Sequence, residues 1–342
     1  MKAPVILAWE LTRACNLDCL HCRASATPDR DPAELSTFQG RRLLSDLAGL
    51  GTRMVILSGG EALMRPDALE LARYGAQTGL RMTLATNGAL VTPELAREIR
   101  ASGVVRVSVS LDGVTSEVHD RIRGRPGAFD LAVSGIENLI RAGVEVQVNT
   151  TVAAMNVHQM EAFPALIASL KAVAWHVFFL VPTGRGADIE KEALRVAEYE
   201  KTIARLMNKQ RDVPIEIKPT CAPQFIRVAD KKGIPLRFSR GCLAGISYCI
   251  INPRGDVQPC AYLDMPLGNV RETPFDEIWR NNPIFSTLRT LEYEGKCGVC
   301  NYKGSCGGCR ARAYYYSGGN YMAEDQWCLY KPPERKAYEQ AD

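Results

Sequence analysis

Through the first half of the chain, short apolar runs alternate with longer stretches in which apolar residues recur at helical spacing. The short runs cover residues 5–9, 54–58, 81–85, 104–110, 144–151 and 176–181, and their length and β-branched content predict strands. Between them, sets such as Leu131, Val133, Ile136, Leu139 and Ile140 predict amphipathic helices. Six strand-helix units in a row imply parallel strands with right-handed crossovers. Such a series can curve into an open barrel whose reactive loops lie at the C-terminal strand ends. Within 104–110, alternation puts valines on one face and Arg106, Ser108 and Ser110 on the other. Barrel strands are covered on both sides, so this polar face is expected to line a cavity; a solvated face is the alternative. Residues 187–211 predict a long helical linker, and residues 218–225 mark the change to a second module. The expected divisions are 1–186 for the barrel, 187–235 for a helical bridge and 236–342 for a cysteine-rich domain.

With 342 residues, 46% hydrophobic and 23% charged, the composition is that of a soluble globular protein. A net charge of +4 gives no global attraction to nucleic acid or to a membrane surface, and neither is an expected partner. The apolar runs around Val5 and Val177 are too short to span a bilayer, and no basic leader with a small-residue cleavage site is present, which predicts a cytoplasmic location. Cysteine changes the picture most. In a reducing compartment clustered cysteines are metal ligands rather than disulfides. Here Cys15, Cys19 and Cys22 follow the first strand, while the other nine begin at Cys221. Three thiolates would leave one iron of a four-iron cluster open for chemistry; a structural zinc knuckle is the competing reading. Downstream, Cys242, Cys249 and Cys260 precede Cys297-x2-Cys300-x5-Cys306-x2-Cys309 and Cys328. These eight thiolates suit two closed four-iron clusters or two four-thiolate zinc sites. Cys221 falls outside that spacing and reads as a small buried residue or a pocket residue.

Polar segments end the predicted strands. In Ser58-Gly59-Gly60-Glu61 the glycines either let the backbone approach a ligand or supply a positive-φ turn, and Glu61 suits a helix N-terminus. Thr86-Asn87-Gly88 reads by itself as an Asn-Gly turn, and Asn149 ends the fifth strand. Arg121, Arg123 and Arg125 form a charged run that is either solvated or set against an anion. Arg185, between two glycines after the sixth strand, offers a guanidinium suited to a carboxylate. His176, one of four histidines, reads as a structural strand residue or as a substrate contact.

The CxxxCxxC loop, followed by Gly59-Gly60-Glu61 and by Ser110-Leu111-Asp112-Gly113, resembles the radical S-adenosylmethionine (SAM) enzymes. The order of the eight later cysteines resembles the SPASM domain, an auxiliary-cluster module. The resemblance implies an α/β fold, a partial (β/α)6 radical SAM barrel with a C-terminal cysteine-rich SPASM domain, and as cofactors three [4Fe-4S] clusters and SAM. It implies that Cys15, Cys19 and Cys22 hold the catalytic cluster, whose open iron takes the amino and carboxylate groups of SAM. Gly59, Gly60 and Glu61 would meet the amino group, Ser110 the ribose and Arg123 the carboxylate. His21, Ser58, Asn87, Asp112, Arg121 and Asn149 would complete the cofactor pocket. Carried across by position, Cys242, Cys249, Cys260 and Cys309 would hold one auxiliary cluster, and Cys297, Cys300, Cys306 and Cys328 the other. Two residues rather than the commoner three separate Cys306 from Cys309.

Segments 8–15, 179–186, 219–223, 241–245 and 306–313 are similar to the haem-biosynthesis branch of this family. That likeness implies oxidative decarboxylation of two propionates of iron-coproporphyrin III to vinyl groups, giving haem b. Tetrapyrrole chemistry of the didecarboxysirohaem or haem d1 pathways, or SPASM peptide maturation, are the alternatives. An iron-porphyrin substrate bearing carboxylates needs cationic contacts, for which Arg121, Arg125, Arg185 and Lys218 are candidates, with His176 and Cys221 as further pocket residues. The implied protein partner is a low-potential electron donor of flavodoxin or ferredoxin type.

Overall fold

The computed structural model describes residues 2–333. Its strands are β1 (Ile6–Glu10), β2 (Met54–Ser58), β3 (Arg81–Thr86), β4 (Arg106–Ser110), β5 (Glu145–Val152), β6 (Ala174–Phe179), β7 (Glu216–Thr220), β8 (Tyr248–Ile251) and β9 (Val257–Gln258). They form one sheet in the order β7-β6-β5-β4-β3-β2-β1-β8-β9, parallel throughout except for the β8–β9 pair. Helices α1 (Thr37–Leu50), α2 (Ala68–Gln77), α3 (Pro93–Ala101), α4 (Ser116–Arg123), α5 (Ala128–Arg141) and α6 (Phe163–Ser169) make the crossovers. After them come α7 (Val196–Asp212), α8 (Phe225–Lys231), α9 (Phe275–Asn281), α10 (Pro283–Thr290), α11 (Gly295–Val299) and α12 (Arg310–Tyr316). The six anticipated strands are all present, their ends displaced by a few residues.

Strand parity decides which side chains face the helices. Val107 and Val109 of β4 and Val146 and Val148 of β5 are fully buried in one core with Ala132, Ile136 and Leu139 of α5. Ser108, Ser110, Asn149 and Thr151 stand half-buried on the opposite, inner face. Each buried valine is worth about 1.5–3 kcal/mol over exposure. A one-residue slip of β4 would exchange two of them for Arg106, Ser108 and Ser110, so the register is fixed and the polar face is kept inside.

The helical bridge expected over 187–235 holds α7 and α8, but it also contains β7, which lengthens the sheet beyond β6. On the other side β8, from the cysteine-rich region, pairs with β1 from Ile6↔Tyr248 to Trp9↔Ile251. The sheet therefore runs across both anticipated divisions. Residues 334–342 of the expected C-terminal domain lie outside the described residues. Among the described residues no helix is long and apolar enough to cross a membrane.

Candidate active site and cysteine clusters

The loop after β1 is fastened on both sides. On its entry side the Thr12 hydroxyl donates to Glu34 Oε1 at 2.6 Å, and the Arg13 amide donates to the same oxygen at 3.0 Å. The amides of Gly60 and Glu61 donate to the carbonyls of Thr12 and Ala14, both at 2.8 Å. A Cβ on Gly60 would overlap the carbonyls of Arg13 and Ala14, so glycine is required here by the protein's own cysteine loop. On the exit side the Leu20 amide donates to Ile122 O at 2.9 Å. Arg185 donates from Nε to Cys19 O at 3.0 Å and from Nη1 to Ala26 O at 2.8 Å, and its amide donates to Cys22 O at 3.0 Å. The guanidinium expected to await a substrate carboxylate is thus turned onto the cysteine loop, because two open carbonyls of a tight loop lie within its reach.

Cys15, Cys19 and Cys22 share one small apolar pocket with Leu17 and Ala128. Burial pushes the Cys15 thiol up to about 11, with Glu61, Cys19 and Cys22 adding to the rise. Burial raises Cys19 as well, against the pull of the Arg123 guanidinium. Thiols whose ionisation burial opposes, as at Cys15 and Cys19, suit a polycationic guest that draws off the charge of the thiolates.

Behind the loop, Asp112 gathers the partners that stiffen it. Its Oδ2 lies 2.6 Å from His21 Nε2 and 2.8 Å from Arg123 Nη2, and its Oδ1 accepts from the Thr151 amide at 2.7 Å. The Asp112 amide donates to His119 Nδ1 at 3.0 Å, which fixes that ring nitrogen as an acceptor. Burial alone would raise the Asp112 carboxyl, but Arg123 and His21 hold it well below the usual carboxylate range. Arg123 Nη1 reaches Cys19 Sγ at 3.6 Å, while its Nε has no partner. Arg121, two residues earlier on α4, is exposed, since two helical positions lie about 200° apart. It does not join the site. On the other flank, Glu61 is fully buried and accepts from the amides of Asn87 at 2.7 Å and Leu63 at 3.1 Å. Asn87 Nδ2 donates to Asn16 Oδ1 at 2.7 Å and comes within 4.0 Å of Cys15 Sγ. Asn16, Glu34 and His119 went unread in the sequence, since none lies in a spacing that by itself indicates chemistry.

The later cysteines fall into two groups. Cys297, Cys300, Cys306 and Cys328 line one pocket. The amides of Asp325 and Tyr302 donate to Cys297 Sγ and Cys300 Sγ, each at 3.4 Å, as amides do around cluster sulfurs. A second group packs Cys242 and Cys260 with Cys309. Cys249, expected there, instead lies fully buried in the main core on β8, opposite Leu7 of β1. Arg310 and Arg312 are fully buried on α12, where Arg312 pairs with Asp325 through Nη2–Oδ2 at 2.7 Å, both 0% exposed.

Residues 9–170 match the Radical SAM superfamily, and residues 242–310 match the SPASM iron-sulfur cluster-binding domain. The AdoMet-dependent heme synthase of Methanosarcina barkeri is 45% identical over 98% of this chain and 99% of its own length. The chain belongs to the radical SAM superfamily. Mycofactocin maturase MftC of Mycobacterium ulcerans is 37% identical over 92% of this radical SAM protein and 85% of its own chain. Streptococcus suis SuiB, solved with its precursor peptide SuiA, shares the fold with a TM-score of 0.76 at 18% identity, over 96% of this chain and 77% of that one. Radical SAM and SPASM domains bind [4Fe-4S] clusters, with SAM at the first. Among the described residues no three His, Cys, Asp or Glu side chains converge closely enough to hold a single metal ion.

The inner face of this radical SAM barrel mixes polar and apolar side chains, with Ser58 beside Met54 and Ile56 on β2 and His176 beside Phe178 on β6. Ser58 and Ser110 stand half-buried as the last residues of β2 and β4, and Asn149, expected to end its strand, lies inside β5 level with Ser110. Deeper in, His176 Nε2 lies 3.1 Å from Glu216 Oε1, and burial lowers its imidazole. Lys218 stands opposite His176 in the β6–β7 register, its Nζ 4.3 Å from the centre of the Phe238 ring. Burial lowers the Lys218 ammonium, with Glu216 opposing. Arg125 is exposed, its Nη1 3.4 Å from Asn16 O at the rim.

Proposed function

We propose that this radical SAM enzyme acts in haem biosynthesis, converting two propionates of iron-coproporphyrin III to vinyl groups and so yielding haem b. The observation that carries this is the 45% identity with a heme synthase along essentially the whole chain, barrel and cysteine-rich module together. In this reading Cys15, Cys19 and Cys22 hold the catalytic cluster. Cys297, Cys300, Cys306 and Cys328 hold an auxiliary one. Bound there, cluster and SAM supply removal of a hydrogen atom from an unactivated C–H bond. Each propionate then loses CO2 and one electron to become a vinyl group, so the enzyme must also pass an electron on.

The chain's own residues bind and orient. Ser58, Gly59, Gly60, Glu61, Asn87, Ser110 and Asn149 edge the space for SAM, and the set of His21, Asp112 and Arg123 stiffens the wall behind Cys19. Lys218, a half-buried cation on the inner face, suits a propionate. The barrel over 1–186, bridge over 187–235 and auxiliary module over 236–342 serve as working divisions, with a flavodoxin- or ferredoxin-type donor and a cytoplasmic setting. Peptide maturation is the second reading, supported by the 37% identity with mycofactocin maturase. Anaerobic incubation of the reconstituted protein with SAM, a reductant and iron-coproporphyrin III, followed by mass spectrometry, tests the first reading. Haem b is expected. SAM cleavage that leaves the porphyrin unchanged would count against it.

A further inference from the structure

Position along the chain assigns Cys249 to the first auxiliary set, but strand parity removes it. On β8, Tyr248 is half-buried and pairs with Ile6 of β1. The next residue of a strand points to the opposite face. Cys249 accordingly joins Leu7 and Ile251 in the main hydrophobic core. The β1–β8 pairing fixes this parity over four register pairs, so no rotation of one side chain can carry its sulfur through the sheet.

The fourth thiol of the group comes from another direction. Cys221 directly follows β7, and its side chain packs in one small cluster with Cys309. It packs in the same small cluster as Cys242 and Cys260, beside Tyr262. Its backbone is left-handed, with φ +57°, a conformation that a non-glycine residue keeps only where its surroundings impose it. The Arg312 guanidinium imposes it, donating from Nη1 to Cys221 O at 2.8 Å from a helix that begins one residue after Cys309. Four thiols from three separate segments thus meet at one place, the number a closed four-iron cluster takes.

We infer that Cys221, Cys242, Cys260 and Cys309 hold the first auxiliary cluster and that Cys249 is a packing residue. The inference rests on the reading of the C-terminal module as a cluster carrier. Its consequence is mechanical as well as chemical. Cys221 hangs from the edge strand of the barrel, so the cluster would clamp the barrel to the SPASM module, and the two would gain stability together on loading.

The test uses the full chain, reconstituted anaerobically, with iron and sulfide counted per chain and the reduced clusters read by electron paramagnetic resonance. The parent should hold about twelve irons, the content of three four-iron clusters. Cys249→Ala and Cys249→Val, the second suited to a buried strand, should match the parent in iron and spectrum. Cys221→Ala should lose about four irons or convert one cluster to a species with different g values. Cys221→Ser, which keeps an oxygen at the same place, should hold its iron with a shifted spectrum. Parental iron and spectrum in both Cys221 variants would overturn the inference. Loss of about four irons from both Cys249 variants would do the same. A parent holding only about four irons would instead overturn the cluster-carrier reading beneath it.

Discussion

Replacing Arg185 by alanine separates two roles for a guanidinium that the sequence alone suits to a substrate carboxylate. The side chain donates to the carbonyls of Cys19 and Ala26, one inside the cysteine loop and one just beyond it. A hydrogen bond from a charged donor contributes about 1.5–3 kcal/mol, so the two together reach about 3–6 kcal/mol. Arg185 is 26% exposed, and water can take over part of that; its pairing with Asp18, which is 84% exposed, adds close to nothing. A loss of about 2–4 kcal/mol remains, which shifts the balance between the fastened and the open loop by roughly 30- to 700-fold. The assay is the anaerobic rate at which a ferrous chelator strips iron from the reconstituted protein, together with SAM cleavage in the absence of porphyrin. Arg185→Ala should speed the first and lower the second, and Arg185→Lys, which keeps the charge without the fork, should fall between. Unchanged stripping and cleavage with only the KM for porphyrin raised would refute the bracing role and return Arg185 to the substrate.

Two further outcomes follow from buried titratable groups. Burial, then the nearby Arg123, lowers His119 to about 4. The folded protein therefore binds fewer protons than the unfolded chain between about pH 6.5 and 4, and stability present above pH 6.5 falls as pH drops through that window, by about 3 kcal/mol at most. His119→Gln, which can still accept from the Asp112 amide, should flatten the fall in urea midpoint from pH 7 to 5, the lowered His176 keeping a remainder; an unaltered slope would rule this out. Lys218→Met should raise the KM for iron-coproporphyrin about 10- to 100-fold through loss of one charge-assisted hydrogen bond while leaving porphyrin-free SAM cleavage at the parental rate. An unchanged KM would remove Lys218 from the substrate pocket.

What the sequence made legible follows the range of the interactions. The first six strands could be read because each carries its own apolar pattern, and Cys15, Cys19 and Cys22 because their spacing is local. β7 was missed because Lys218 and Pro219 break its pattern. Proline is tolerated in a sheet where its missing amide is not needed, and β7 lies at the sheet's edge. Four-residue β8 is too short to show a period, and its parity, which decides the place of Cys249, exists only through pairing with β1, more than 230 residues earlier. The role of Arg185 turned on the same limit: its type was visible, whereas the carbonyls it meets are 159 and 166 residues away in the chain.

Asp325 shows how far such distant contacts tie the two auxiliary groups together. Its amide donates to Cys297 Sγ at 3.4 Å, in one group, and its Oδ2 accepts from the Cys309 amide at 2.8 Å, in the other. The same carboxylate binds Arg312 Nε at 2.8 Å and Nη2 at 2.7 Å, and Gln224 Nε2 at 2.8 Å. Arg312 in turn holds Cys221 O and the Tyr199 hydroxyl, both at 2.8 Å. Every hydrogen bond around the Asp325 carboxylate is aimed at a negative charge, and burial alone would expel that charge if Arg312 did not hold it in place. Asp325→Asn keeps the shape, turns an NH2 toward donors and leaves Arg312 buried without a counter-charge, a loss of about 3–5 kcal/mol. That is a large share of the roughly 5–15 kcal/mol by which a folded protein is stable. Because the disruption is centred between the two groups and far along the chain from the Cys15 loop, iron should fall from about twelve to about four per chain while SAM cleavage stays detectable. Asp325→Leu combined with Arg312→Met, which removes both charges together, should destabilise less than Asp325→Asn alone, since no unpaired charge is left in the core. Equal or greater destabilisation of the double variant, measured by denaturant midpoint, would mean that the pair acts through its hydrogen bonds to Cys309, Cys221 and Tyr199 rather than through charge.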